Sequence, residues 1–289
     1  MQEVSPRNES SDSSETLPAK RSYDKEAADS QVRRHYARMR AKQTHGFATA
    51  MKEKYGRPAI QMDLWDALGK LDDFADESDP DLELPNLHHL YQAAVYARDH
   101  GYEDWMIVTA LLHDLGKVVY LRGCDEEGTT VKNQWAVVGD TWVTGCRLPG
   151  SLVYDEYNSS NPDMADPLLS TALGVYPKGI GMTRVTFAFN HDVYLADLLE
   201  HPLNRPHHSL PQEAIDIIRL HSCYPFFDKG EYKDLMDPTY DEKLLENLIR
   251  FNKCDLYSKT DKVIANLDMM KEEFGELIEK FFDGTPLWF

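Results

Sequence analysis

Six side chains of this 289-residue chain could bind a metal, and each sits where a helix should present an apolar core residue. The densest signal is Leu111-Leu112-His113-Asp114-Leu115-Gly116-Lys117, which closes an apolar stretch from Trp105 to Leu112. At helical spacing His113 continues the stripe Met106–Ala110 and Asp114 the stripe Ile107–Leu111, so both should face inward. An inward Asp is costly unless it is paired or binds a cation. Taken singly, a His–Asp pair of this kind reads as a buried hydrogen bond. The same anomaly recurs, however. His89 lies with Ala93 and Tyr96, and His191 with Ala188, Leu195 and Leu198. His221 follows Ala214, Ile217 and Ile218, and Asp255 completes the row Leu244, Leu248, Phe251. A shared metal centre would satisfy all six at once, because helical bundles build such sites from inward-facing side chains.

The donor types narrow the metal. Imidazole and carboxylate without thiolate disfavour a structural zinc site and suit iron, manganese or another ion that accepts nitrogen and oxygen. Four His and two Asp are too many for one open catalytic ion and too few to saturate two octahedral ions. Two metals with one bridging carboxylate and several open positions fit that count. Such a pair could act as a two-metal clamp in hydrolysis. The same open positions could instead admit O2 and a chelating diol.

These groups need helices to position them. The periodicity predicts helices over 24–55, 62–73, 86–100, 103–118, 183–200, 211–222, 241–257 and 259–281. Gly101 separates two of them by a short turn, and Pro211-Gln212-Glu213 marks a helix start. Residues 1–20, rich in Ser, Glu and Asp, read as a disordered tail ahead of one domain over 21–289. A long irregular excursion over 121–177 interrupts the helical rhythm, with a strand-like run at Trp135-Ala136-Val137-Val138. Loops of this length in compact domains usually serve function. The fold expected is therefore mostly α, a single helical domain.

Composition excludes other classes. Lys+Arg 31 against Asp+Glu 49 gives a formal charge of -18, which argues against nucleic acid, since phosphate binding needs basic surface. No apolar run reaches the ~18–20 residues of a membrane span, and the first residues lack a signal-peptide core. The four cysteines are scattered without a CxxC pair, so a reducing cytoplasm is the expected address.

The order His89, His113-Asp114, His191, His221, Asp255 resembles the HD-domain superfamily. The surrounding words are narrower: Leu71-Asp72-Asp73, Asp76-Glu77-Ser78-Asp79-Pro80-Asp81, Gln134-Trp135-Ala136-Val137-Val138-Gly139-Asp140-Thr141, Asn190-His191-Asp192, His221-Ser222 and Asn252-Lys253-Cys254-Asp255-Leu256-Tyr257. Together they resemble the myo-inositol oxygenase family of non-haem di-iron enzymes, from about Arg21 to the C-terminus. Of His88 and His89, the second stands three positions after Asn86, as in that family's word.

The resemblance implies two iron ions, Fe(II)/Fe(III), with O2 as co-substrate and ring-cleaving four-electron oxidation of myo-inositol to D-glucuronate. It implies His89, His113 and Asp255 on one iron, His191 and His221 on the other, and Asp114 bridging. It places Lys117 beside the substrate oxygen as a catalytic group with Asp114, a position that its i+3 spacing from Asp114 supports. Arg21, Asp76, Glu77, Ser78, the Gly139 backbone, Asp140, His221 and Ser222 would surround the substrate hydroxyls. A ring bearing six hydroxyls needs such donors and acceptors rather than an apolar pocket. Residues 123–133 look longer than the family's usual connection. The small-molecule substrate is the only partner implied, and a monomer is the default expectation. The alternative is an HD-domain metal-dependent phosphohydrolase using the same ligand order.

Overall fold

The computed structural model describes residues 27, 29–78, 85–257 and 266–289. The expected tail over 1–20, Arg21, and Asp79-Pro80-Asp81 lie outside the described residues. The described chain is mostly helical, as expected. Its helices are α1 (Gln31–Lys42), α2 (His45–Tyr55), α3 (Leu64–Gly69), α4 (Asn86–Asp99), α5 (Asp104–Leu112), α6 (His191–Glu200), α7 (Gln212–Leu220), α8 (Tyr224–Phe227), α9 (Asp241–Tyr257) and α10 (Leu267–Phe281). Two short antiparallel strands, β1 (Gln61–Met62) and β2 (Leu287–Trp288), pair Gln61 with Trp288 and Met62 with Leu287.

α4 packs on α5 through the turn at Gly101, whose φ of 68° suits a residue without Cβ. α6 packs on α7, and α9 lies against α4, α5 and α7. Leu90, Leu111, Ile217, Leu248 and Phe251 are all buried in this shared core. The apolar stripes of the five helices that carry the candidate ligands therefore face one another.

Several boundaries differ from the periodicity, each for a local reason. The expected helix over 24–55 is broken between α1 and α2, where Thr44 caps α2 by accepting from the Phe47 N–H. Buried Gln43 in that break pairs with the Phe189 backbone, Oε1 accepting from its N–H and Nε2 donating to its carbonyl. The expected helix over 183–200 begins only at His191. Asn190 is its cap, its Oδ1 accepting from the Val193 N–H, and 182–184 form a separate 3-10 turn. The expected helix over 103–118 ends at Leu112 and resumes as a 3-10 turn from Leu115 to Arg122.

The strand expected at Trp135–Val138 is a correction: these residues form a turn, with Val137 and Val138 N–H both donating to the Gln134 carbonyl. An apolar run reads alike for a strand and for a buried turn. The long excursion itself is present, threaded by short 3-10 turns. Its 123–133 portion is tied to the end of α2, with Glu127 accepting from Tyr55 Oη and ion-paired to Lys54.

Gly116 lies where the 3-10 turn packs on α6. A Cβ there would sit 2.1 Å from the His191 carbonyl oxygen and 3.0 Å from Leu195 Cβ. Gly116→Ala is therefore expected to cost at least about 1–3 kcal/mol and to displace His191. A lower melting temperature together with reduced metal content checks this; unchanged melting would refute the close approach.

Candidate metal centre

His113 and Asp114 sit where α5 leaves the helical path. His113 has φ −53° and ψ −36°, and Asp114 has φ −91° and ψ 0°. Consecutive residues of an unbroken helix diverge by ~100°. Both keep right-handed helical dihedrals, so they continue the two adjacent inward rows, Met106–Ala110 and Ile107–Leu111, and reach one site from them. Four other elements deliver the remaining donors: α4 brings His89, the start of α6 His191, the end of α7 His221, and α9 Asp255. All six residues are buried.

Asp114 stands in the middle. Its Oδ1 lies 2.8 Å from His191 Nε2 and 3.5 Å from His221 Nε2. Its Oδ2 lies 3.6 Å from His113 Nε2 and 3.9 Å from His89 Nε2. Asp255 Oδ1 is 3.0 Å from His89 Nε2 and 3.8 Å from His113 Nε2. Each carboxylate oxygen of Asp114 thus faces its own pair of imidazoles. The donor atoms of His89, His113 and Asp114, and those of Asp114, His191 and His221, lie close enough in each set to hold one ion.

The imidazoles are oriented for ligation. His113 Nδ1 donates to the Ala110 carbonyl at 2.8 Å, His191 Nδ1 to the Val137 carbonyl at 2.6 Å, and His221 Nδ1 to the Ile218 carbonyl at 2.8 Å. A carbonyl only accepts, so each Nδ1 carries the proton and each Nε2 of a neutral ring presents a lone pair to the centre. Two such Nε2 pairs, His89–His113 and His191–His221, stand 3.2 Å apart. Lone pairs held this close, beside carboxylates, require either a proton or a cation between them. The residues therefore fit a pair of metal ions. Among the described residues His89 Nδ1 is buried without a partner.

Electrostatics point the same way. Burial pushes His113 down to about 3, so it stays neutral. For His221 the burial penalty is outweighed by Asp192 and Asp114, which lift it to about 9. Against the cost of burial, Lys117 and His113 hold Asp114 well below the usual carboxylate range. Burial likewise disfavours the Lys117 ammonium, but Asp114 and Asp76 raise it above its ordinary value.

Beside the centre, buried Lys117 Nζ donates to Asn86 Oδ1 at 2.7 Å, Asp76 Oδ2 at 3.0 Å and Asp114 Oδ2 at 3.0 Å. Asp76 Oδ1 accepts from the N–H and hydroxyl of buried Ser78. Ser222, next to His221, is tied through its carbonyl to the Thr141 N–H, which brings Asp140 to the same side. Gly139 has φ 103°, and its backbone lies against His35 and Met39. Glu77, between Asp76 and Ser78, lines a cavity of about 130 Å³ with His35, Arg38, Lys132 and Trp135, and its N–H donates to Gln134 Oε1.

Sequence reading gave no role to Asn86, Asp192 or Tyr224. Asn86 shares the α4 face with His89 three residues on, a spacing that could have flagged it. Asp192 was visible only as the neighbour of His191. Tyr224, whose Oη donates to Asp255 Oδ2 at 3.3 Å, gave no signal because it lies in another element.

Comparison with known proteins agrees with this geometry. A model of the myo-inositol oxygenase family matches residues 29–288. The chain is 38% identical to the probable inositol oxygenase of Oryza sativa subsp. japonica, over 85% of this chain and 77% of that protein. It is 38% identical to the inositol oxygenase of Mus musculus, over 88% of this chain and 85% of that one. For the inositol oxygenase of Dictyostelium discoideum the identity is 35%, over 91% and 88% respectively.

Proposed function

The chain belongs to the myo-inositol oxygenase family, and from that premise we propose that this site oxidises myo-inositol with O2 and cleaves its ring to give D-glucuronate. It is an oxygenase, and the family implies a metal centre and a small-molecule substrate. The observation that carries the site reading is Asp114, whose two oxygens face two separate imidazole pairs. His89, His113 and Asp255 would hold one iron, His191 and His221 the other, with Asp114 between them.

In the mixed-valent Fe(II)/Fe(III) state the pair of ions would supply the activation of O2 and the redox capacity for a four-electron oxidation. Everything else falls to the protein. The carbonyls of Ala110, Val137 and Ile218 fix three imidazole tautomers. Phe251 stacks edge-on against His113 and His221 and keeps water from that side. Lys117 stays charged and stabilises negative charge developing on a substrate oxygen. Asp76, Ser78, Asp140, Ser222, the Gly139 backbone and, outside the described residues, Arg21 would receive the remaining hydroxyls. Glu77, between Asp76 and Ser78, would take part with them.

Hydrolysis of a phosphate ester, the other chemistry open to this ligand order, is not favoured by membership of an oxygenase family. Among the described residues no helix is long and apolar enough to cross a membrane, and we place the monomeric enzyme in the cytoplasm. The test is anaerobic loading with Fe(II), then O2 and myo-inositol. Glucuronate should appear with one O2 consumed per product. Phosphate release from model esters without inositol-dependent O2 uptake would overturn the reading.

A further inference from the structure

Asp192 is a fully buried carboxylate, 0% exposed, that the ligand set does not use. Its Oδ2 accepts from the Ser222 N–H at 3.0 Å, and its Oδ1 accepts from the Ser222 hydroxyl at 3.1 Å. A carboxylate has no proton to give, so the serine must be the donor, and a serine has only one hydroxyl proton. Towards anything else in the site, Ser222 Oγ offers lone pairs alone. The same device stands beside Lys117, where Asp76 Oδ1 takes the Ser78 N–H at 2.9 Å and the Ser78 hydroxyl at 2.6 Å. Two carboxylate–serine pairs thus flank the centre with the same polarity.

We propose that Asp192 is a positioning residue for substrate recognition: by engaging the hydroxyl proton of Ser222 it makes Ser222 Oγ a fixed acceptor, which selects a substrate hydroxyl able to donate. This rests on the reading of Ser222 as a substrate contact. Asp192 Oδ1 also lies 3.1 Å from His191 Nε2 and 3.5 Å from His221 Nε2. One side chain thus lies against both Ser222 and the two imidazoles. Each of its oxygens accepts one bond from Ser222, and it acts through that serine. A substrate that presents a carbonyl or an ether oxygen at this point would leave two acceptors facing each other, and sites of this kind reject such analogues strongly.

The test uses iron-loaded enzyme as D192N, S222A and the double variant, with iron content, KM and kcat for myo-inositol. An isosteric amide at 192 can donate to Ser222 Oγ and turn its proton outward. D192N should keep its iron and raise KM roughly tenfold, the size of one hydrogen bond, with a much smaller change in kcat. S222A should raise KM alike, and the double variant should be no worse than S222A, since both changes remove one interaction. Additive losses, unchanged KM in D192N, or loss of iron from D192N would each overturn the proposal. Unchanged KM in S222A would instead sink the contact reading on which it rests. Should D192N fail to fold, unmodified enzyme and S222A are compared on singly deoxy and deoxyfluoro inositols. At the position where S222A adds no further loss, fluorine, which cannot donate, should cost as much as hydrogen. Retention of the fluoro analogue at that position would refute a fixed acceptor.

Discussion

Asp114→Asn is expected to empty the centre and abolish oxygenation. The substitution keeps the volume but replaces two anionic oxygens by one neutral oxygen and an NH2 group. One imidazole pair, either His191–His221 or His89–His113, then faces N–H donors where it needs an anion bridging to the metal. Loss of an outer-sphere partner alone costs about 10–100-fold in metal affinity, so loss of the bridge should exceed that. Metal analysis should show well below two irons per chain, with no measurable glucuronate. A variant that retained two irons and normal turnover would disprove the bridging assignment.

Lys117→Met separates chemistry from metal binding. The methionine fills the same space but leaves Asp76, Asn86 and the substrate oxygen without their shared cation. Removal of one preorganised donor at a developing charge costs roughly 10²–10³ in turnover. Iron content should stay near that of the unaltered enzyme while kcat falls by about that factor. Lys117→Arg should not rescue it. A planar guanidinium cannot direct three bonds into the cup formed by Asp76, Asn86 and Asp114. Equal loss of iron in Lys117→Met would make the lysine a structural support of the centre rather than a group acting on substrate.

The two variants together test a division of labour that the structure makes explicit. Asp114 is shared: one oxygen belongs wholly to the His191–His221 side, while the other meets His89, His113 and Lys117. The lysine is thereby held against the metal ligands by the same residue that joins them. Asn86 completes that arrangement from α4, so the residue that begins the helix anchors the lysine and the residue one turn on binds metal.

From the sequence alone, the donors and the helices that bear them could be read. A His or Asp on an apolar stripe contradicts the stripe, and His89, His113, Asp114, His191, His221 and Asp255 did so at helical spacing. Apolar runs and periodicity also located α4, α5, α7 and α9, although Met106–Leu112 of α5 are buried all round rather than on one face. What it could not provide was where helices stop for the sake of the site. The late start of α6 after Asn190 and the turn at Trp135–Val138 both answer to distant partners. Val137 is the clearest case: its carbonyl accepts from both the backbone N–H and Nδ1 of His191, a residue 54 positions away. Only the tertiary structure decided which oxygen of Asp114 faces which imidazoles and that Asp192 engages Ser222. Side-chain identity and spacing are local properties, whereas hydrogen-bond direction and the meeting of donors depend on how separate elements pack.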